Sequence, residues 1–378
     1  MGIKLGNICR FQSGGTPSKG KPEFFNGTIP WITTTALNGG NIGKESAVDW
    51  ISEQAIKESA AKIVPAFSIM VGTRVGVGKV AINTMSMSTS QDIISLLDID
   101  ESMWSKAFLC KFLQAKGTFL NAQARGATIK GIKIDVLSEL ELPKIPIEEQ
   151  QHISQIIDKV KTTIAIRQRQ LQKLDELVKA RFVEMFSSCQ HIASMNELCS
   201  IITDGTHQPP KFQDNGIPFI FVSNLVNNTV TYNAEKFISE ETYGELYKRT
   251  PIEIGDLLLS TVGSYGHVAV VVEDKKFLFQ RHIAYLKPKH EIVNSFYLHA
   301  ALLSPDSQRQ IEEKVKGIAQ KTLNLSEIKT ILIPLPSIEE QKNFEVFVKQ
   351  VDKSKVAVQK ALDEAQLLFD SLMQKYFG

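Results

Sequence analysis

An internal repeat is the strongest constraint on the fold, because each half of the 378-residue chain carries one copy of the same sequence pattern. Four segments of the first half recur in the same order in the second half, with offsets between 188 and 191. The pairs are 5–16 with 195–206, 29–32 with 217–220, 78–81 with 266–269, and 142–150 with 333–341. A repeat of fixed period indicates two copies of one structural unit.

Each copy begins with a globular part, residues 1–147 and residues 187–338. Short β-type runs alternate there with turns rich in Gly, Pro and Asn. We predict strands at 29–35, 68–71, 79–82 and 93–97 of copy one, and at 217–223, 257–261, 267–272 and 283–286 of copy two. Helical stretches follow near 102–116 and 294–316. The fold class is therefore predicted to be α+β, with two similar globular domains.

Each copy ends in a segment of different character, residues 148–186 and residues 339–378. Neither Pro nor Gly occurs in 148–186 or in 339–377, and apolar residues recur at steps of three and four. Each segment predicts one helix of roughly 58 Å at 1.5 Å per residue. The apolar stripe of each helix needs a partner, and the other helix, antiparallel in a coiled coil, is the expected one. We expect the packing positions to include Ile157, Leu171, Leu174, Val351, Leu362 and Leu368.

Both long helices begin with the sequence Ile-Glu-Glu-Gln, at 147–150 and at 338–341. Carboxylates in the first turn of a helix are stabilised by the helix dipole. We therefore interpret Glu148, Glu149, Glu339 and Glu340 as capping charges rather than as a catalytic pair.

The catalytic motifs that a chain of this kind could carry are missing from the sequence. Around Gly78-Lys79, a nucleotide-binding Gly-x-x-x-x-Gly-Lys-Ser/Thr pattern fails at Thr73 and at Val80. The Gly-rich run 72–78 has the wrong spacing for a dinucleotide fingerprint and is better explained as a hairpin turn. The seven histidines form no HExxH pair. We therefore predict that the chain is not an enzyme by itself and binds no metal.

Composition narrows the class of protein further. The formal net charge is +2, which argues against a basic arm that coats nucleic acid but not against local basic patches. The domain 1–147 carries a net charge of +4 and the domain 187–338 a net charge of −2. No run of 18 apolar residues occurs, and four dispersed cysteines without a CxxC pair are typical of a cytoplasmic protein with reduced thiols.

This layout resembles the specificity (S) subunit of type I restriction–modification enzymes over essentially the whole chain. The most specific feature is the pair of Leu/Ile-Pro…Ile-Glu-Glu-Gln helix entries, one in each half of the chain. The next most specific feature is a Gly-Thr turn after a Leu-x-x-Ile/Leu-Cys segment in each copy, although Met195 replaces the leading Leu in copy two. The stretch 317–326 is also similar to the family's approach to the second helix, whereas 126–135 lacks its Gln and Asn.

The resemblance implies a non-catalytic DNA reader with four segments. These would be target recognition domain 1 (1–147), a central helix (148–186), target recognition domain 2 (187–338) and a C-terminal helix (339–378). The helices would set the spacer between two half-sites and dock two methyltransferase (M) subunits, with two restriction (R) subunits joining them. S-adenosylmethionine, ATP and Mg would belong to those partners, and no cofactor to this chain.

Two alternatives remain at this point: a coiled-coil scaffold that binds proteins but no DNA, and an enzyme whose motif is not recognisable. Physical reasoning favours a reader of DNA, because paired similar domains suit paired half-sites about one helical turn (~34 Å) apart. The two copies differ in sequence, so their half-sites should differ too. We therefore expect an asymmetric, bipartite DNA target.

The candidate base-reading residues are polar side chains in the loops around the predicted strands, since such groups bind base edges or phosphates. Copy one supplies Thr33, Thr34, Thr35, Asn38, Asn41, Arg74, Lys79 and Gln91. Copy two supplies Ser223, Asn224, Asn227, Asn228, Tyr265, His267, Gln280, Arg281 and His282. Lys130 and Lys321 are candidate phosphate contacts near the helix entries. We expect weak DNA binding by the chain alone and tighter, salt-sensitive binding in the complex.

Overall fold

The computed structural model of this chain describes residues 2–126, 130–226, 228–317 and 321–378. The chain forms two compact units. Unit 1 comprises Met1–Ile166 with Leu362–Gly378, and unit 2 comprises Arg167–Ala361. Each unit contains one globular copy of the repeat and one segment of each long helix. The four-segment division by residue number stays a prediction.

Unit 1 is built around two mixed sheets. Its five-stranded sheet has the order Arg10–Ser13, Ile93–Leu97, Ile69–Gly72, Val80–Asn83 and Asn41–Ile42, antiparallel except for the last pair. Its four-stranded sheet has the order Asp49–Ile51, Ile29–Ile32, Met87–Thr89 and Ile63–Val64, with a parallel central pair. The short strands Ile3–Lys4 and Glu141–Leu142 pair separately. The helices are Glu53–Glu58, Lys106–Ala115, Gly117–Gln123 and Ile134–Ser138.

Unit 2 repeats the first four strands of the larger sheet of unit 1 and the first three strands of the smaller one. Its main antiparallel sheet has the order Cys199–Asp204, Ile283–Pro288, Leu257–Ser260 and Val268–Val270. A three-stranded sheet joins Phe237–Ile238, Ile217–Ile220 and Leu278–Phe279, again with one parallel pair. Two further pairs are Ile192–Ser194 with Leu332–Pro334 and Leu225–Val226 with Thr229–Val230. The helices are Met195–Leu198, Glu240–Tyr247, Ser295–Leu302, Pro305–Lys314 and Leu325–Lys329.

The matching strand orders confirm the repeat and the α+β class, and most predicted strands are present within a residue or two. The Gly-rich run 72–78 is the predicted hairpin turn, between Ile69–Gly72 and Val80–Asn83. Two predictions are wrong at their ends. The strand from Ile29 stops at Ile32 and is followed by the 3-10 helix Thr34–Ala36, and the strand from Ile217 stops at Ile220 and is followed by the 3-10 helix Val222–Asn224. The Ile32 side chain is buried on the core, and the chain then turns out of the sheet.

The first long helix runs from Ile147 to Phe186 and the second from Ile338 to Phe377. At the start of the second, the backbone N–H of Glu340 donates to Ser337 Oγ (3.3 Å), and Glu340 Oε2 accepts from the Ser337 N–H (2.9 Å). This pair caps the helix, and its hydrogen bonds lower the pKa of Glu340. The predicted capping role of Glu340 is confirmed.

Within unit 1 the two helix segments pack antiparallel. Ile153 and Ile157, near the start of the first helix, share a core with Phe377, at the end of the second. The Phe377 ring also lies 5.1 Å from the ring of Phe108, in the helix Lys106–Ala115. The helix segments are therefore part of the unit's own hydrophobic core.

Unit 2 contains the opposite ends of the helices, and they too are antiparallel. The Phe344 ring, at the start of the second helix, lies 5.7 Å from Phe182 and 5.5 Å from Phe186, at the end of the first. Further along, Lys355 Nζ lies 2.7 Å from Asp175 Oδ1. The packing of the aromatic rings and the Asp175–Lys355 ion pair thus both hold the two helix segments antiparallel. Within each unit the predicted antiparallel pairing is confirmed.

Candidate nucleic-acid interface

Four loops of unit 1 meet at one end of its five-stranded sheet. The Thr73 N–H donates to the Asp92 carbonyl (2.8 Å), and the Ile132 N–H donates to the Thr73 carbonyl (2.8 Å). The Ser90 N–H donates to the carbonyl of Ile32 (2.9 Å), which draws in the segment after that strand. We call residues 33–38, 73–79, 90–92 and 130–132 the loop end of unit 1. These bonds bring together segments that are far apart in the chain.

Most candidates of copy one lie at this loop end, but they are not equally available. Thr34 is 4% exposed and packs beside Gly72, so it contributes to the core rather than to a surface. The hydroxyls of Thr33 and Thr35 lie 2.8 Å apart, hydrogen-bonded to each other. The side chains of Asn38, Lys79, Gln91 and Lys130 are exposed. Asn41 lies elsewhere, in the edge strand Asn41–Ile42.

A basic concavity of about 670 Å³ opens at the loop end of unit 1. Arg74, Arg125 and Lys133 line it, and Asp135 is the acidic side chain among the described residues of the lining. Arg74 Nη1 is 3.9 Å from Asp92 Oδ1. A cluster of cations around a concave surface is suited to a phosphate backbone.

Sequence reasoning missed Arg125 and Lys133. The signal available was their position on either side of Lys130, in the segment that leads to the first long helix. Within the described ranges, no acidic side chain lies within 4 Å of the charged groups of Lys79, Arg125, Lys130 or Lys133. Their charges are therefore available to a partner.

The loop end of unit 2 is built by equivalent hydrogen bonds. The Thr261 N–H donates to the His282 carbonyl (2.9 Å), and the Leu323 N–H donates to the Thr261 carbonyl (2.8 Å). The Gln280 N–H donates to the carbonyl of Ile220 (3.2 Å). We call residues 205–207, 221–224, 261–267, 280–282 and 321–323 the loop end of unit 2. The backbone framework is thus common to both units, whereas the side chains on it differ.

The candidates of copy two separate into surface and structural residues. Ser223, His267 and Arg281 are exposed, and Gln280 is half-buried. Asn224 is 8% exposed, and its side chain holds the turn by accepting from the Phe221 N–H (3.0 Å). Asn224 is therefore a structural residue.

Two further candidates of copy two are Asn227 and Asn228. Asn227 lies outside the described residues. Asn228 adopts a left-handed conformation (φ 63°) in a hairpin. It lines a cavity beside His299 rather than the loop end.

At the loop end of unit 2, His282 is uncharged near pH 7 and Lys321 is paired with a carboxylate. Burial and the neighbouring Arg281 lower the pKa of His282, so His282 is neutral near pH 7 and can both donate and accept a hydrogen bond. Lys321 Nζ lies 2.8 Å from Glu312 Oε1 and 3.3 Å from the Tyr265 hydroxyl, which itself donates to Glu312. Both candidates Tyr265 and Lys321 are thus held by one carboxylate.

Sequence reasoning missed a charged cluster around Asp204. Arg249 Nη2 lies 2.6 Å from Asp204 Oδ1, and His207 Nε2 lies 2.8 Å from Asp204 Oδ2. Asp204 is mostly buried, whereas Arg249 and His207 are about half exposed. The Asp204–His207 spacing was visible in the sequence, but Arg249 is distant in the chain and gave no local signal.

A protein-family model, described as the type I restriction modification DNA specificity domain, matches residues 2–176 and again 192–365. The chain belongs to this family. The two matches coincide with the two copies of the repeat.

Individual relatives agree with this assignment. The specificity subunit of the type I restriction enzyme EcoBI from Escherichia coli is 26% identical over 318 residues, which cover 74% of this chain and 67% of the relative. The specificity subunit of the type I restriction enzyme MjaIX from Methanocaldococcus jannaschii is 24% identical and covers 98% of this chain and 91% of the relative. The comparisons give no support to a scaffold without a DNA role.

Solved structures show the same fold. The S subunit of a type I restriction–modification system from M. genitalium aligns with a TM-score of 0.58 at 16% identity, covering all of this chain and 96% of that one. A chain from work on complex assembly and conformational transition of the type I restriction–modification system aligns with a TM-score of 0.64 at 17% identity, covering all of this chain and 97% of that one.

The long helices of this specificity-domain protein carry the remaining candidates. Ile157 and Val351 are buried, and Leu171, Leu174 and Leu362 are half-buried. Leu368 is 50% exposed, whereas the adjacent Phe369 packs against the core of unit 1. The apolar stripe of the second helix is therefore displaced by one residue there.

No three His, Cys, Asp or Glu side chains in the described ranges converge as metal ligands would. None of the helices in that part of the chain combines the length and the apolar character needed to cross a bilayer.

Proposed function

We propose that this chain selects the DNA sequence on which a type I restriction–modification complex acts, and that unit 1 and unit 2 each read one half of an asymmetric, bipartite site. The observation that carries this proposal is the shared backbone framework of the two loop ends. Identical hydrogen-bond positions orient equivalent loops, and different side chains occupy them. Two loop ends that share a backbone framework but carry different side chains are suited to two half-sites of different sequence.

The residues proposed to contact DNA are the exposed and half-buried candidates at each loop end, together with Arg125 and Lys133, which line the basic concavity of unit 1. In unit 1 they are Thr33, Thr35, Asn38, Arg74, Lys79, Gln91, Arg125, Lys130 and Lys133. In unit 2 they are Ser223, Tyr265, His267, Gln280, Arg281, His282 and Lys321. Arg and Gln at such positions can form bidentate hydrogen bonds with guanine and adenine, each contributing ~1–3 kcal/mol of discrimination.

The long helices are proposed to set the unread spacer and to dock the partner subunits. Each runs 40 residues, and each has exposed apolar residues, among them Ile166, Leu177, Val356 and Leu368. Exposed apolar side chains on a helix are a common feature of protein interfaces. We propose two methyltransferase and two restriction subunits as partners, in the cytoplasm.

Catalysis is proposed to reside in those partners. S-adenosylmethionine, ATP and Mg would be bound there, and this chain would supply sequence selection alone. Purified chain without partners should therefore neither methylate nor cut DNA, whether or not S-adenosylmethionine, ATP and Mg are added.

The decisive experiment maps N6-methyladenine in host DNA by long-read sequencing, with and without this gene. Loss of methylation at one bipartite, asymmetric motif is the expected result. Exchange of the globular part of unit 1 for that of a relative should then change one half of the motif only. Unchanged methylation, in cells where the chain co-purifies with an active methyltransferase, would overturn the proposal.

A further inference from the structure

The loop before each long helix carries two cations at equivalent positions. In unit 1, Arg125 and Gly131 exchange backbone hydrogen bonds of 2.9 and 3.0 Å. In unit 2, Lys316 and Thr322 exchange the same pair, at 3.0 and 2.8 Å. The offset that aligns the two helix entries makes Arg125 equivalent to Lys316, and Lys130 equivalent to Lys321.

In unit 2 both of these cations are neutralised. Lys321 Nζ lies 2.8 Å from Glu312 Oε1, and Lys316 Nζ lies 2.7 Å from Glu327 Oε1. The lysine bonds lower the pKa of each carboxyl group, so both acids are ionised at neutral pH. The loop therefore presents two ion pairs rather than two free positive charges.

In unit 1 the corresponding acids are missing. The same offset places Asn121 at the position of Glu312 and Val136 at the position of Glu327. Asn121 Nδ2 donates to the Val77 carbonyl (2.8 Å), so a neutral amide makes the inter-loop contact that Glu312 makes to Tyr265 in unit 2. Both units therefore carry the two cations, whereas the two carboxylates, Glu312 and Glu327, belong to unit 2.

These ion pairs contribute little to folding, because the side chains of Lys316, Lys321 and Glu312 are more than half exposed and exposed pairs are screened by solvent. Their effect on a polyanion is different. Sequence-independent affinity for DNA comes from cations that replace counterions on phosphates. A lysine with a carboxylate beside it adds little to that affinity, since the carboxylate repels the same phosphate.

We propose that Glu312 and Glu327 are specificity-determining residues that suppress sequence-independent DNA binding by unit 2. Unit 1, where Arg125 and Lys130 have no carboxylate partner among the described residues, then supplies the larger share of salt-dependent affinity, and unit 2 contributes through hydrogen bonds to its half-site. This inference rests on the proposed DNA-reading function. It assigns the two domains unequal electrostatic roles.

The test uses the full chain assembled with its methyltransferase subunit and a labelled duplex of about 30 base pairs that lacks the methylated motif. Glu312→Gln and Glu327→Gln each free one lysine for a phosphate. Each should steepen the slope of log affinity against log salt by about 0.9, so affinity falls about 3.5-fold more between 50 and 200 mM salt than in wild type. Tighter binding at low salt should accompany the steeper slope.

Glu313→Gln is the matched control, because it makes the same charge change one residue away. Glu313 Oε1 pairs with Arg309 Nη1 (2.7 Å), outside the loop. Its slope should equal that of wild type. A second control, Lys321→Gln added to Glu312→Gln, should abolish the gain.

The outcomes separate this inference from the function on which it rests. A wild-type complex that binds a duplex with the motif no better than one without it would contradict the DNA-reading function itself. Preserved motif preference, together with identical salt slopes for Glu312→Gln, Glu327→Gln and Glu313→Gln, would overturn only the role of the two acids.

Discussion

The buried side chain of Gln150 accepts a hydrogen bond from the backbone N–H of Ser105 (2.9 Å), and thereby joins the start of the first long helix to the first turn of the helix Lys106–Ala115. Gln150 Nε2 also donates to the carbonyls of Met103 and Ile145, both at 3.0 Å. One amide thus satisfies three backbone groups. The Gln of the Ile-Glu-Glu-Gln motif is a structural clamp.

The second copy repeats this clamp. Gln341 Oε1 accepts from the Asn294 N–H (2.8 Å), and its Nε2 donates to the carbonyls of Ile292 (3.2 Å) and Pro336 (2.9 Å). Each of these partners is the repeat equivalent of a partner of Gln150. The motif that revealed the repeat in the sequence therefore has a local physical purpose: it fixes each globular part to its helix.

Gln150→Ala should destabilise unit 1 by at least about 2 kcal/mol, because it leaves buried backbone groups without partners at about 1–3 kcal/mol each. Urea unfolding followed by tryptophan fluorescence reports this directly, since all three tryptophans (Trp31, Trp50 and Trp104) lie in unit 1. Gln151→Ala, on an exposed position of the same helix, is the control. Equal urea midpoints for Gln150→Ala and Gln151→Ala would contradict the stabilising role of Gln150.

Phe344→Ala should destabilise unit 2 by about 3–5 kcal/mol, the usual cost of removing a buried aromatic ring. The ring is fully buried and contacts Phe182, Phe186 and Tyr297. Hydrogen exchange of the strand Leu257–Ser260 should accelerate, whereas the tryptophan signal of unit 1 should change little. Val346→Ala, at a residue 58% exposed, should leave exchange as in wild type.

The stability of unit 2 should fall as the pH drops below about 6.5. Burial lowers the pKa of His299 to about 4, and Nε2 lies 3.1 Å from the Val268 carbonyl. Between about pH 6.5 and pH 4, His299 is protonated in the unfolded chain but not in the folded chain, so acid favours unfolding. The loss should reach about 2 kcal/mol between pH 7 and pH 5.

The measurement is hydrogen exchange of unit 2 at both pH values, corrected for intrinsic exchange rates. A His299→Gln variant should lose most of the acid sensitivity, whereas His152→Gln, at an exposed residue of the first long helix, should keep it. Equal acid sensitivity in wild type and His299→Gln would show that other groups cause the effect.

Arg74→Ala and Arg125→Ala should each weaken DNA binding by the assembled complex and reduce its salt slope by about 0.9 if the residue contacts one phosphate. If Arg74 instead reads a base, its variant should lose ~1–3 kcal/mol of discrimination at one position and keep the slope. Fluorescence anisotropy over a salt series separates the two. Arg10→Ala is the control, because Arg10 lies at the opposite end of its strand, 2.6 Å from Asp98. Unchanged binding in both loop variants would exclude this surface.

Leu171→Glu and Leu362→Glu should reduce co-purification of the methyltransferase subunit at least tenfold, because each places a charge on a half-buried position of a long helix. Gln172→Glu, an exposed neighbour, should co-purify normally. Arg74→Ala should also retain its partner, since it lies in a loop. Undiminished co-purification of the Leu171→Glu variant would refute the proposed role of the helices in assembly.

Local and periodic features of the sequence determined much of this protein. The repeat, the strand runs and the two helices free of Pro and Gly predicted the α+β class and the two copies. These features depend on side-chain periodicity and on contacts between near neighbours, which the sequence displays directly. The Glu-Glu entry of the second helix was correctly predicted as a cap for the same reason.

The tertiary structure alone decided which polar residues are available. Thr34 and Asn224 resembled surface candidates, yet packing against Gly72 and a turn-holding hydrogen bond bury them. Arg125 joins Arg74 around one concavity only because distant loops exchange backbone hydrogen bonds. Burial, and whether a cation meets a carboxylate, depend on contacts between residues far apart in the chain, and neither composition nor periodicity contains that information.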